Sequence, residues 1–341
     1  MRKLIIFGNG LGRALDNDFF DLETRMREVW ADENCLTPEQ KRLIATSIEG
    51  VEPEEGPSSE DQLGKTQMAL VACEVLGDAV NDGQLVHWLT VDARDFPSAL
   101  KKYLFEVARS FHGLNPANAE YDFWQDFKNE LVKFIWTSKS HVATLNYDDL
   151  LYDPFNDVQE IDGVRIHLCD GYNGVLLDGY THGRGFSKLN MEPDYYPENF
   201  GYYMHLHGSP LFVEGDEHAI KLKRRAMRHQ NVERDSHIVL THKTFKPLVI
   251  KNSPVLSMYW EKLDKAIDEA SEIILFGYSG LDEHLNAKIS ARRGKIPVRV
   301  VERTHEEADM RADFWKRELG VEATIVQFDN ILDFREWARE V

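Results

Sequence analysis

Cysteine is scarce. The 341 residues hold three, Cys35, Cys73 and Cys169, and none stands in a Cys-x-x-Cys pair. That excludes a cysteine-only zinc ribbon and a disulfide framework, and it fits a reducing compartment. No apolar run approaches the roughly 20 residues that span a bilayer. The run at the N-terminus ends at Gly8, too early for a signal sequence. We therefore expect a cytoplasmic protein without membrane contact. Basic charge is also in deficit. Lys and Arg number 40 against 58 Asp and Glu, a formal charge of −18. That is the wrong sign for a phosphate-backbone binder, so direct nucleic-acid binding is not expected. The one basic cluster, Lys221-Leu222-Lys223-Arg224-Arg225-Ala226-Met227-Arg228, reads as a solvated face. Repeats and low-complexity tracts are missing too.

What remains is an ordinary globular composition, 43% hydrophobic and 29% charged, in a chain long enough to bury a full core. Lys3–Phe7 is a short apolar run ending in Gly8-Asn9-Gly10. Helical spacing follows as far as about residue 135. Thr37, Pro38 and Gln40 form a helix start with a capping box. Ser59–Val80 carries a stripe through Leu63, Met68, Leu70, Val71, Val75 and Leu76. Pro97 to Phe111 and Tyr121 to Trp136 read as two more helices. The second shows Phe123, Phe127, Leu131, Phe134 and Ile135 on one face. Strand-type runs then appear at His141–Leu145, Tyr202–Leu206, His237–Leu240, Glu272–Phe276, Pro297–Val301 and Ala323–Phe328. Helical stretches at Val255–Ala270, 281–290 and 304–319 lie among the later ones. Continuous apolar strands alternating with helices predict an α/β fold with a parallel, Rossmann-like sheet. Residues 1–15, 136–155 and 200–341 would form its nucleotide-binding domain. Residues 16–135 would be a large helical insertion and 156–199 a second, smaller one.

Five motifs could carry chemistry. Gly8-Asn9-Gly10-Leu11-Gly12 follows a strand, where glycines let the backbone approach a diphosphate. Its ordinary reading is a strand-to-helix turn. Thr144-Leu145-Asn146-Tyr147-Asp148-Asp149 follows another strand. Asn146 can orient a water or a ribose hydroxyl and Asp148 can bind a carboxamide; the plain alternative is an Asx cap. His205-Leu206-His207-Gly208 ends a strand with a histidine suited to general-base work. The two histidines, at i and i+2, would point the same way, as in half a metal site, but no further ligands follow at telling spacing, so no metal is expected. Phe111-His112-Gly113 reads as a helix end with a glycine cap. Gly277-Tyr278-Ser279-Gly280 is a candidate phosphate cradle. Glu302, after the strand Pro297–Val301, could bind the hydroxyls of an adenosine ribose or be a solvated acid.

Taken in order, these motifs resemble the sirtuin family of NAD⁺-consuming enzymes, which carry a Gly-Ala-Gly loop, a Gln-Asn-Ile-Asp segment, a catalytic His-Gly and a Gly-Thr-Ser loop. The match is closest to the bacterial sirtuin-like NAD⁺ hydrolases of antiphage defence, with their Thr-x-Asn-Tyr-Asp, His-Gly and Gly-Tyr-Ser runs. It covers roughly 1–12, 139–151, 203–209, 237–245 and 272–328. The resemblance implies a sirtuin-type fold and NAD⁺ as substrate. It implies that Gly8, Asn9 and Gly10 line the diphosphate, with Gly277 and Ser279 contacting phosphate. Asn146 would hold the water or the nicotinamide ribose, Asp148 the carboxamide, His207 would be the base, and Glu302 would meet the adenosine ribose. The zinc ribbon of the deacylases is missing, and Leu145 stands where they carry Gln. Both departures favour an NAD⁺ glycohydrolase, releasing nicotinamide and ADP-ribose, over a protein deacylase or ADP-ribosyltransferase. A non-catalytic NAD⁺ or ADP-ribose sensor is the other alternative, and retention of Asn146 and His207 argues against it. Such a hydrolase must be latent, so gating by assembly is expected, in a homo-oligomer or with a HerA-like hexameric ATPase.

Overall fold

The computed structural model describes all residues except 1, 78–79, 82–83, 86–89, 117–120, 157–158, 162–163, 167, 173–175, 178–180, 183–184, 193–200, 223–235, 293, 305–307 and 340–341. Most of the basic cluster, residues 223–228, lies outside the described residues. Lys221 at its head does not have the solvated character expected. It is buried against the Asp170 carboxylate and over the rings of Tyr152 and Tyr172.

Six strands form one wholly parallel sheet. They are β1 (Leu4–Phe7), β2 (His141–Thr144), β3 (Tyr203–His205), β4 (Ile273–Phe276), β5 (Val298–Arg303) and β6 (Ala323–Phe328). The spatial order is β3-β2-β1-β4-β5-β6, that of a Rossmann-like fold. All four expected neighbours pair in parallel, with Leu4 opposite both His141 and Ile273, and Ile273 opposite Val298. Every residue of β1, β2 and β4 is buried, as the unbroken apolar runs require for strands covered on both faces. The edge strand β6 is only partly buried.

Between β1 and β2 the chain runs through helices, beginning with α1 (Gly10–Leu15) and ending with α2 (Asp122–Ser138). On α2, Phe127, Leu131, Phe134 and Ile135 are buried and Phe123 is exposed. Thr37 makes the expected capping box with Gln40. Two helices differ from expectation. One begins at Val91, capped by Thr90, and carries Pro97 inside it. The other runs from Gly64 to Gly77, and Val80 lies instead in a short strand. Of its apolar residues, Leu70 is buried, whereas Met68, Val75 and Leu76 are exposed. The helix is apolar around much of its circumference, and only one face meets the core. No described helix is long and apolar enough to cross a membrane.

Further along are α3 (Pro254–Glu269), α4 (Glu283–Ser290) and α5 (Ala308–Leu319). The amino ends of the strands carry a buried ion network. Glu272 pairs with Lys3 at 2.6 Å and with Arg299 at 2.7 Å. The two cations also bond carbonyls of the C-terminal tail, Lys3 those of Trp337 and Arg339, Arg299 those of Glu336 and Arg339. Trp337 then packs on Phe127, Phe276 and Phe334. Removing one partner of such a network costs about 3–5 kcal/mol.

At the opposite, carboxyl edge the loops after β1 and β4 touch. Gly8 N donates to Phe276 O at 2.9 Å and Gly10 N to Gly277 O at 2.8 Å. A Cβ on Gly10 would sit 2.7 Å from the Gly277 Cα, and one on Gly8 2.6 Å from the Tyr278 Cα. These are backbone atoms that no rotamer change can move. Gly10→Ala should therefore lower stability by about 1–3 kcal/mol, read as a shifted urea midpoint without ligand. An unchanged midpoint would show that the loops do not need this contact.

Candidate active site

The carboxyl edge of the sheet gathers the expected residues from four strand ends. β2 hands the chain to Asn146, whose Nδ2 donates to Gly8 O at 3.1 Å. The amide thus ties the end of β2 to the loop after β1. Asn146 is buried, and its Oδ1 has no hydrogen-bond partner among the described residues. The side-chain orientation is fixed by chemistry. A flipped amide would set its oxygen against the Gly8 carbonyl, which can only accept.

His207 follows β3. Gly208 beside it has φ 80°, and a Cβ there would lie 1.7 Å from His237 O. Gly208 opens the strand Gly208–Val213, which pairs with Ser236–Ile238, so the His-Gly glycine is required by sheet packing. The His207 ring lies 6.5 Å from that of Tyr147. Its Nε2 is hydrogen-bonded to Asp282 Oδ2 at 2.9 Å, and Asp282 closes the loop after β4. The segment before His207 is pinned by Trp260, whose Nε1 donates to Leu206 O at 2.9 Å. His205 does not share this environment. It ends β3, packs edge-on against Phe212, and burial pushes it down to about 3. The i, i+2 pairing fails because the chain turns between the two histidines. Among the described residues no group of three or more His, Cys, Asp or Glu is arranged to hold a metal ion.

The other expected residues have varied surroundings. Gly8, Gly10 and Gly277 meet in the loop contact described above. Asn9 turns its amide nitrogen to Phe20 O at 2.9 Å. Ser279 is exposed at the tip of the loop after β4. Tyr278 anchors that loop, donating to Asn286 Oδ1 at 2.9 Å and accepting from Asp282 N at 2.9 Å. Glu302 lies inside β5, which runs on to Arg303, rather than beyond its end. Its carboxylate accepts from Arg311, Trp315 and Gln327. Burial alone would raise it, but these bonds hold it below the usual carboxylate range. A ribose there would have to share or displace these donors.

Three participants carried no signal that stood out in the sequence. Asp282 looks like a helix cap and Lys246 like a loop lysine. Glu60 sits far off in the chain. In the fold Lys246 Nζ lies 3.5 Å from Asp282 Oδ2 and 3.4 Å from Glu60 Oε2. Tyr147 OH donates to Val239 O at 2.5 Å. His112, expected to be structural, donates from Nε2 to Tyr147 O at 2.7 Å and steadies the Asn146–Asp148 segment.

No protein-family model matches the chain, and no curated protein matches it.

Asp148 supplies a titration. Burial, chiefly, and the adjacent Asp149 push its carboxyl up to about 7, against hydrogen bonds from Leu150 N and Asn146. The folded pKa lies above the ordinary value, so the folded state keeps a proton that the unfolded chain loses. Stability must then fall as pH rises from about 4 to about 7 and level off above. Asp148→Asn removes that slope. Relative to wild type it should gain up to about 4 kcal/mol between pH 4 and pH 8, measured by urea unfolding at each pH. A difference independent of pH would contradict the shifted carboxyl.

Proposed function

We propose that this protein is an NAD⁺ glycohydrolase of sirtuin-like type, which cleaves NAD⁺ and water to nicotinamide, ADP-ribose and a proton. The observation that carries the reading is the Asn146 side chain. Its nitrogen is tied to Gly8 at the sheet edge, and its buried oxygen has no partner among the described residues. A buried acceptor without a donor costs about 1–3 kcal/mol, a cost that a ribose hydroxyl or a water would remove. We place the substrate at the carboxyl edge between β1 and β4, where the strand order reverses, since dinucleotides bind there in such sheets.

In this reading the diphosphate runs along the backbone of Gly8–Gly10 and Gly277, within reach of Ser279. Asp148, half protonated near neutral pH, can both donate to and accept from a carboxamide, the pattern that holds nicotinamide. Asn146 orients the water or the ribose, and His207 takes the water's proton as the bond from C1′ to nicotinamide breaks. The fixed dipoles of a buried site stabilise the oxocarbenium-like ribose. The helical stretch 16–135 and residues 156–199 are then insertions into a sirtuin-type domain. We place self-association on the exposed Met68, Val75 and Leu76, with a HerA-like ATPase as the partner by resemblance alone.

Three variants test the assignment by nicotinamide release and NAD⁺ titration. Asn146→Ala should abolish turnover while NAD⁺ still binds. His207→Ala should lower kcat by roughly 10²–10⁴-fold. Ser279→Ala should instead weaken binding, raising KM more than it lowers kcat. Full activity in Asn146→Ala would place the chemistry elsewhere.

A further inference from the structure

Asp282 does two jobs with two oxygens. Oδ1 accepts from Leu285 N at 2.9 Å and caps α4. A cap needs only that one oxygen, and Ser or Asn would serve. Oδ2 instead faces His207 Nε2 at 2.9 Å and Lys246 Nζ at 3.5 Å, all three side chains being buried.

We propose that Asp282 is the positioning residue of the site: it holds His207 by Nε2, so that the proton resides there and Nδ1 is the basic nitrogen presented to the reacting water. The claim about the water rests on the NAD⁺ hydrolase reading; the claim about the proton's position does not. A neutral imidazole carries hydrogen on one nitrogen and a lone pair on the other. An ionised carboxylate can only accept, so it selects the Nε2–H tautomer. Burial alone would raise the Asp282 carboxyl, but the His207 bond, the Lys246 charge and the Leu285 amide hold it far below the usual range. The other groups around the pair are Tyr147, Glu60 beyond Lys246, and His284 on α4.

The proton then has a complete path. Water's oxygen bonds to C1′ as the bond to the nicotinamide nitrogen breaks and its electron pair neutralises the pyridinium. The water proton passes to His207 Nδ1. The imidazolium is stabilised by Asp282 until it releases the proton to solvent.

Asp282→Asn separates this role from capping, because Asn keeps the cap while its NH₂ can donate to Nε2. The tautomer is read by ¹⁵N-histidine NMR of the full chain, with His207 assigned through His207→Gln. We expect Nε2–H in wild type and Nδ1–H in Asp282→Asn. We also expect kcat for nicotinamide release to fall about 10²–10⁴-fold with KM for NAD⁺ within about threefold. An Nδ1–H tautomer in wild type overturns the proposal without need of any variant. So does an Asp282→Asn protein with unchanged tautomer and kcat, or one that loses activity through KM alone. The expected tautomers in a protein that never releases nicotinamide would uphold the positioning role and sink the hydrolase reading instead.

Discussion

Two backbone loops in direct contact set up everything else at the carboxyl edge. The turn after β1 and the turn after β4 meet through Gly8, Gly10 and Gly277, close enough that a single Cβ would strike main-chain atoms. This contact lies where the strand order reverses. It fixes Gly8 O, which positions Asn146, and it fixes the start of the loop that ends in Asp282. Tyr278 completes that loop from below through Asn286 and the Asp282 backbone. The glycines are thus needed before any ligand arrives. Their side chains are missing because the two loops must pack backbone to backbone.

The two edges of the sheet contrast. At the amino edge opposite charges pair: Lys3 and Arg299 share Glu272 and tie down the C-terminal tail. At the carboxyl edge polar groups are buried with incomplete or shifted partners. Among the described residues Asn146 Oδ1 has none, and Asp148 holds its proton up to about 7. A fold braced by ion pairs at one edge can carry such costs at the other, where shifted and unsatisfied groups gather in one place.

Much of the fold was legible because parallel buried strands leave a plain mark. Unbroken apolar runs such as Leu4–Phe7 and Ile273–Phe276 admit few other readings, and the strand boundaries shifted by only one or two residues. The capping box at Thr37 is equally local. What failed were inferences needing tertiary context. The stripe on Gly64–Gly77 has the right period but does not say which face is covered. Pro97 reads as a helix start, yet Thr90 begins the helix a turn and a half earlier. Lys221 looks solvated in its cluster, and only the fold brings Asp170 to it. In the site, Asn146, Asp148 and His207 follow strands and could be named from that alone. Asp282, Lys246 and Glu60 could not, because a cap, a loop lysine and a distant glutamate become partners only when separate strand ends converge.

The central claim is that NAD⁺ lies across the β1–β4 crevice with its nicotinamide ribose between Asn146 and His207. A crystal structure of Asn146→Ala with NAD⁺ tests it most directly, since that variant should bind without turnover. The account predicts intact dinucleotide, its diphosphate against Gly8–Gly10 and Gly277, its carboxamide on Asp148 and its C1′ facing His207 Nδ1. A dinucleotide bound elsewhere on the protein, or a crevice left empty at saturating NAD⁺, would contradict it.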